Sequence, residues 1–176
     1  MQETTIPVLY TEEEIHERIE ALAHEIAAVM PNDLMIVSLL RGSFMFTADL
    51  VRELYRIGVQ PQIDFMTLSS YKGTESSGEV TVNRDLTEDV KDRHVLIVDD
   101  ILETGRTLDF AMNMLKERGV SEMKVCMLLE KPGKLDKLVK ADFVGFRIPD
   151  KFVVGYGLDY GNHYRELPFI GYLDIH

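Results

Sequence analysis

Cysteine is nearly absent: Cys126 is the single one in 176 residues. No disulfide framework can staple the fold, and its place in the apolar run Val125 to Leu129 predicts a buried strand residue in a reducing compartment. Long apolar runs are missing too. None approaches the ~20 residues of a membrane span, and the opening Met1-Gln2-Glu3-Thr4-Thr5 has neither the basic nor the apolar region of a signal peptide, so a cytoplasmic location is expected. Positive charge is scarce, with 19 Lys and Arg against 30 Asp and Glu and a formal net charge of −11. That balance argues against a broad electrostatic grip on nucleic acid. A polyanionic ligand would have to be held locally, by backbone amides, a few cations or a metal. The five histidines show no metal-ligand spacing, and the nine methionines fall mainly on apolar helix or strand faces. Both sets read as structural. No repeat, low-complexity tract or linker interrupts the chain, its length suits one domain, and its 45% hydrophobic content can fill a core.

Apolar patterning then gives an order of elements. Thr11-Glu12-Glu13-Glu14 is a helix start, with Thr11 as N-cap and Glu14 as its capping-box partner; the helix is expected to run toward Met30 and stop before Pro31. Leu34 to Leu40 reads as a buried strand, Arg41-Gly42-Ser43 as a tight loop, and Phe44 to Ile57 as an amphipathic helix ending before Gly58. Gln62 to Ser70 is the next strand. The polar excursion Tyr71-Lys72-Gly73-Thr74-Glu75-Ser76-Ser77-Gly78 has nothing to pack and reads as a mobile loop, and Glu79 to Arg84 alternates like an exposed strand returning as a hairpin arm. A strand-then-helix unit at 95 to 118 is followed by a strand at 122 to 130, a turn at Pro132-Gly133, a strand from Asp142 to Ile148, and a tail rich in Gly and Tyr. Successive strand-then-helix segments indicate an α/β fold with a mainly parallel sheet.

The chemistry concentrates in Val95-Leu96-Ile97-Val98-Asp99-Asp100-Ile101-Leu102-Glu103-Thr104-Gly105-Arg106-Thr107. Four consecutive aliphatics match a parallel strand covered on both faces. Asp99 and Asp100 then stand at its carboxyl end, where open α/β sheets place ligands. Helical periodicity resumes from Thr107, which makes Glu103 to Thr107 a helix N-terminal loop with unpaired N–H groups and partial positive charge, suited to a phosphate monoester. The carboxylates are good acceptors for the vicinal hydroxyls of a ribose. One loop would then grip both ends of a ribose 5-phosphate. A receiver-type acid pair that binds magnesium is the rival, and it fails on position, because this pair lies past the middle of the 176 residues.

The run Val95 to Thr107 resembles the diphosphoribosyl-binding signature of type I phosphoribosyltransferases. Leu40-Arg41-Gly42-Ser43, Ser70-Tyr71, Glu130-Lys131-Pro132 and Lys151-Phe152-Val153-Val154-Gly155-Tyr156-Gly157-Leu158-Asp159-Tyr160 follow in the order found in hypoxanthine-guanine phosphoribosyltransferases, so the resemblance covers nearly the whole chain. It implies one domain over 1–176, a mainly parallel twisted sheet flanked by helices, a flexible hairpin-like loop at about 71–84, and a small hood from about 1–10 and 150–176. The implied activity is purine salvage: Mg2+-dependent transfer of the phosphoribosyl group from phosphoribosyl pyrophosphate to hypoxanthine, and to guanine, giving IMP or GMP and pyrophosphate. A homodimer or homotetramer is also implied, with no nucleic-acid or membrane partner.

The resemblance also distributes roles. Asp99 and Asp100 would hold the ribose hydroxyls, directly or through the metal; the family commonly has Glu then Asp here. Glu103 would take the proton from purine N7 as general base, at a position where the family more often has Asp. Glu103, Thr104, Gly105, Arg106 and Thr107 would bind the 5′-phosphate. Arg41, Gly42 and Arg165 would contact pyrophosphate, with a cis peptide implied between Leu40 and Arg41. Lys131 would donate to purine O6, Phe152 would stack on the base, and the backbone of Val153 would read its edge. Asp159, in the purine-binding segment, would serve a second Mg2+ carried by pyrophosphate. Ser70 and Tyr71 would anchor a lid that closes to protect an oxocarbenium-like ribosyl group from water. Rival readings are a phosphoribosyltransferase for xanthine, adenine or orotate, and an RNA-binding regulator on the same fold.

Overall fold

In the computed structural model, residues 5–70 and 79–175 are described. The polar excursion from Tyr71 to Gly78 lies outside them. The elements run β1 (Val8–Tyr10), α1 (Glu12–Ala27), β2 (Met35–Leu40), α2 (Phe44–Arg56), β3 (Gln62–Ser70), β4 (Val80–Arg84), β5 (His94–Leu102), α3 (Arg106–Glu117), β6 (Glu122–Glu130), β7 (Phe143–Arg147), β8 (Phe152–Val154) and β9 (Ile170–Leu173). A six-stranded sheet in the order β4-β3-β2-β5-β6-β7 is parallel throughout except for the β3–β4 hairpin. The ends of the chain meet in an antiparallel three-stranded sheet, β1-β9-β8.

Period-2 alternation sorts each central strand between two cores. On β5, Leu96 and Val98 face α1 and α2 together with Ile36, Cys126 and Leu128. Val95 and Ile97 face the other way, onto Leu108, Ala111 and Leu115 of α3 with Val37, Val125 and Met127. Coverage on both faces explains why these strands read as unbroken apolar runs, and each large side chain so buried contributes about 1.5–3 kcal/mol. Cys126 is fully buried, which pushes its thiol far above the ordinary range, so it is inert packing.

The capping box forms as the sequence predicts. Thr11 N donates to Glu14 Oε2 at 2.8 Å, and Glu14 N donates to Thr11 Oγ1 at 3.1 Å. The helix ends earlier than its apolar pattern suggests, at Ala27, because Val29 N bonds back to Ile26 O at 3.1 Å in a tighter turn. A second departure matters more for the site: β5 does not stop at Val98. It pairs with β2 only as far as Ser38↔Val98, then runs on beside β6 through Asp99↔Met127, Ile101↔Leu129 and Leu102↔Glu130. Asp99 and Asp100 therefore lie within the strand, with the β2 side vacated by the turn into α2.

Buried Asp64 on β3 ties down the segment after β4. It accepts from Thr87 N at 2.7 Å, Glu88 N at 2.9 Å, Phe65 N at 2.8 Å and Thr87 Oγ1 at 3.3 Å. Burial pushes its pKa up, and the hydrogen bonds outweigh burial and leave it below the usual carboxylate range. Among the described residues, no helix is long and apolar enough to cross a membrane.

Candidate active site

Strand order reverses between β2 and β5: the chain leaves β2 through α2 to β3 on one side, and leaves β5 through α3 to β6 on the other. Open α/β sheets form their ligand crevice at such a switch point. Here the crevice is flanked by the β2–α2 turn, Arg41 to Ser43, and the β5–α3 turn, Glu103 to Gly105. Two adjoining cavities of about 140 and 240 Å³ meet over Asp99, Ile101 and Thr107. Larger cavities lie along the outer face of α3, at about 630 Å³, and between α1, α2 and Tyr156, at about 820 Å³, but neither touches the acid pair.

Asp99 and Asp100 form the crevice floor. Asp100 N donates to Asp99 Oδ1 at 2.8 Å, and Ile101 N donates to Asp100 Oδ1 at 2.7 Å. Burial, then the neighbouring Asp100 charge, hold Asp99 well above the usual carboxylate range. Asp100 is raised less, because burial is opposed first by a hydrogen bond from the Asp99 side chain and more weakly by the Arg165 charge.

The β2–α2 turn is pressed onto this floor. A Cβ at Gly42 would lie 1.8 Å from Asp100 Oδ2, and a Cβ at Gly157 would lie 2.3 Å from Gly42 O. Two glycines therefore let the tail, the turn and β5 stack backbone on side chain. The Leu40–Arg41 peptide is cis. Beneath the turn, Ser38 Oγ bonds Ser43 Oγ at 2.9 Å and Thr47 Oγ1 at 2.8 Å, while Ser43 Oγ donates to Leu39 O at 2.6 Å. Neither this buried hydroxyl set nor the contact made by Gly157 was apparent in the sequence; three small hydroxyls around a strand-to-helix turn were the available signal.

On the other side, Gly105 begins α3 at φ 81°, and no side chain caps the helix. The Cβ side of Gly105 is filled by the protein, while the residue still lines the smaller of the two cavities over Asp99. A Cβ there would meet Val139 Cγ2 at 2.5 Å. Arg106 is also redirected. Its Nε and Nη2 both lie 2.6 Å from Asp136 Oδ2, which draws the guanidinium toward the segment after β6. Its backbone N–H stays in the first turn with that of Thr107. Thr104 is exposed, and its Oγ1 lies 3.5 Å from Arg106 N.

Lys131, at the end of β6, is buried and points at Glu103. Its Nζ lies 3.6 Å from Glu103 Oε1 and 3.6 Å from Asp150 Oδ1. Lys134 joins the same cluster, 3.5 Å from Glu103 Oε1 and 2.6 Å from Asp150 Oδ2. Neither Lys134 nor Asp150 was singled out from sequence; the Pro132-Gly133 turn that delivers Lys134 was visible. Phe152 is 43% exposed and packs edge-on against Tyr160 at 5.5 Å between centroids, so a ring face is open to a planar ligand. Val153 is buried and opposes Tyr172 in the β8–β9 ladder. Asp159 is occupied by its own neighbours: Arg165 Nη2 lies 3.2 Å from Oδ1, and Asn162 N donates to Oδ2 at 2.7 Å. Arg165 Nη1 also donates to Gly157 O at 2.6 Å, which fixes it beside the glycine stack. Ser70 ends β3, and Tyr71 lies outside the described residues. Among the described residues, no three His, Cys, Asp or Glu side chains converge as a metal cluster.

The phosphoribosyl transferase domain family matches residues 9–161. The hypoxanthine phosphoribosyltransferase of Buchnera aphidicola subsp. Schizaphis graminum is 45% identical over 171 residues, 95% of each chain. That of Escherichia coli K12 is 44% identical, over 95% of this chain and 94% of the relative. Among solved structures, a hypoxanthine phosphoribosyltransferase from Staphylococcus aureus superposes with a TM-score of 0.87 at 43% identity, covering 94% of this chain and 90% of its own. One from Trypanosoma cruzi gives a TM-score of 0.90 at 38% identity, over 98% and 94%. With its parallel sheet, switch-point acids and full-length relatives, the chain belongs to the phosphoribosyl transferase domain family and, within it, to the hypoxanthine phosphoribosyltransferases.

Proposed function

We propose that the chain is a cytoplasmic purine-salvage enzyme that transfers the phosphoribosyl group of phosphoribosyl pyrophosphate to hypoxanthine and guanine. One observation supports this most: the buried Lys131 ammonium and the Glu103 carboxylate stand 3.6 Å apart beside the acid pair. A 6-oxopurine presents an acceptor, O6, and a proton-bearing N7 side by side on one edge. A cation and a carboxylate at that spacing complement both groups, whereas the 6-amino group of adenine would meet Lys131 donor to donor.

In this reading Asp99 and Asp100 hold the ribose hydroxyls. The N–H groups of the first turn of α3, with Thr104 and Thr107, hold the 5′-phosphate. Arg41, Gly42 and Arg165 face pyrophosphate, Phe152 stacks on the base, and the Val153 backbone reads its edge. Two vicinal carboxylates suit Mg2+, which takes one or two carboxylates and completes its shell with substrate phosphates and water. Asp99 and Asp100 would hold it, Asp159, once released by Arg165, would serve a second Mg2+ carried by pyrophosphate, and the metal would neutralise charge on the departing pyrophosphate. The residues supply positioning: the base is set against the ribosyl carbon while Glu103 accepts the N7 proton. The chain in this reading assembles as a homodimer or homotetramer.

The competing reading is an RNA-binding regulator on this fold, and the net charge of −11 weighs against it. Pyrophosphate release separates the two. Release that requires both Mg2+ and hypoxanthine or guanine is expected; RNA binding at physiological salt with no base-dependent release would overturn the proposal.

A further inference from the structure

Glu103 is held by a segment of which the roles above use only Lys131. Lys131 N donates to Leu102 O at 2.9 Å, and Asp136 N donates to Thr104 O at 3.0 Å. The chain from Lys131 to Asp136 is thus stitched to the residue before Glu103 and to the residue after it. Arg106 reinforces the second stitch through its ion pair with Asp136. Between the stitches, Pro132 and a left-handed Gly133 at φ 84° turn the chain so that Lys134 stands opposite Glu103.

The charges there form a closed set of two cations and two anions. Lys131 and Lys134 both approach Glu103 Oε1, at 3.6 and 3.5 Å, and Lys134 also holds Asp150 Oδ2 at 2.6 Å. Both cations therefore converge on the same carboxylate oxygen, Oε1. Arrival of a 6-oxopurine would draw Lys131 away to O6. A carboxylate left unpaired at that moment would be free to swing, and Glu has one more torsion to restrain than Asp.

We propose that Lys134 is a positioning residue for Glu103: it keeps Oε1 fastened when Lys131 turns to the base, so that Oε2 stays aimed at N7. Asp150 anchors Lys134 for that task, and each partner's pKa is displaced in the direction that favours the ion pair, Lys134 upward and Asp150 downward, chiefly through their mutual hydrogen bond. The longer carboxylate at position 103 and a cation that clamps it form one device.

The inference rests on Glu103 acting as the base, so the test measures both. Steady-state kinetics with hypoxanthine are run on Lys134→Met, Lys134→Arg, Glu103→Gln and the double variant Lys134→Met with Glu103→Gln. Because Lys134 is 37% exposed, its variants are expected to fold, and a thermal melt checks this. Lys134→Met should lower kcat about two- to fivefold, as one partly exposed ion pair allows. KM for phosphoribosyl pyrophosphate should be unchanged, Lys134→Arg should restore most of the loss, and the double variant should be no slower than Glu103→Gln alone. Wild-type kcat in Lys134→Met, no rescue by Arg, or the same fold-loss repeated on top of Glu103→Gln would overturn the role of Lys134. Wild-type turnover in Glu103→Gln itself would instead remove the base assignment, and the inference with it.

Discussion

Replacing Gly42 by alanine should disable the site while leaving the fold nearly intact. The added methyl carbon would sit 1.8 Å from Asp100 Oδ2, against an optimal non-bonded approach of about 3.5 Å. About 1.7 Å of displacement is therefore required. Asp100 is the part that can yield, since its carboxylate is the end of a side chain while the turn is fixed from below by the Ser38, Ser43 and Thr47 hydroxyls and from above by Gly157. Swinging the carboxylate away also strains the 2.7 Å hydrogen bond that Asp100 Oδ1 accepts from Ile101 N. A misplacement of about 1 Å in a positioning group can cost about 100-fold in rate, so kcat/KM for phosphoribosyl pyrophosphate should fall by about that factor. Stability should fall by only about 1 kcal/mol, or about 2–4 °C in melting temperature. Initial-rate kinetics and a thermal melt on one preparation measure both. A Gly42→Ala enzyme with wild-type kcat/KM would refute the close packing of turn on acid; a collapse of the melting temperature would show that the turn, and not Asp100, is forced to move.

Two other changes probe separate parts of the molecule. Glu103→Gln keeps size but cannot accept a proton, and turnover should drop about 100-fold or more; stopped-flow formation of IMP measures it, and an unchanged rate would exclude Glu103 as base. Asp64→Ala should destabilise the fold by about 1–3 kcal/mol at neutral pH, because the N–H groups of Thr87 and Glu88 lose their buried acceptor. Since the folded pKa of Asp64 is lowered, its contribution is complete above the unfolded value of about 3.9 and is lost as pH falls through the folded value. Urea titrations of both proteins should therefore converge in acid, and a gap that stays constant down to about pH 3 would contradict the assignment.

The legible parts of the sequence were those where one local pattern had one structural outcome. Thr11 and Glu14 cap a helix because both partners lie within one turn, and Val95 to Val98 form a buried strand because apolar coverage on two faces leaves no polar alternation. What lay hidden was set by distant partners. The continuation of β5 through Leu102 depends on β6, whose register nothing within Asp99 to Leu102 reveals. Strands β1, β8 and β9 have three or four residues each, too short to read as pattern, and only the family resemblance pointed to a second layer built from both chain ends. Site side chains divide the same way. The acids and Lys131 were identified by type and order, but the turning of Arg106 toward Asp136 and the packing of Val139 on Gly105 arise from a segment about thirty residues on in sequence. A helix N-terminus looks the same in sequence whether a ligand or the protein covers its glycine.

The central claim is that Lys131 and Glu103 read the O6 and N7 edge of a 6-oxopurine, and base choice tests it most directly. Purified protein with phosphoribosyl pyrophosphate and Mg2+ is offered hypoxanthine or adenine, and nucleotide formation is followed by ultraviolet absorbance. Conversion of hypoxanthine to IMP, with adenine slower by at least about 100-fold, is the expected result. Equal use of adenine, or no nucleotide from either base, would contradict the account.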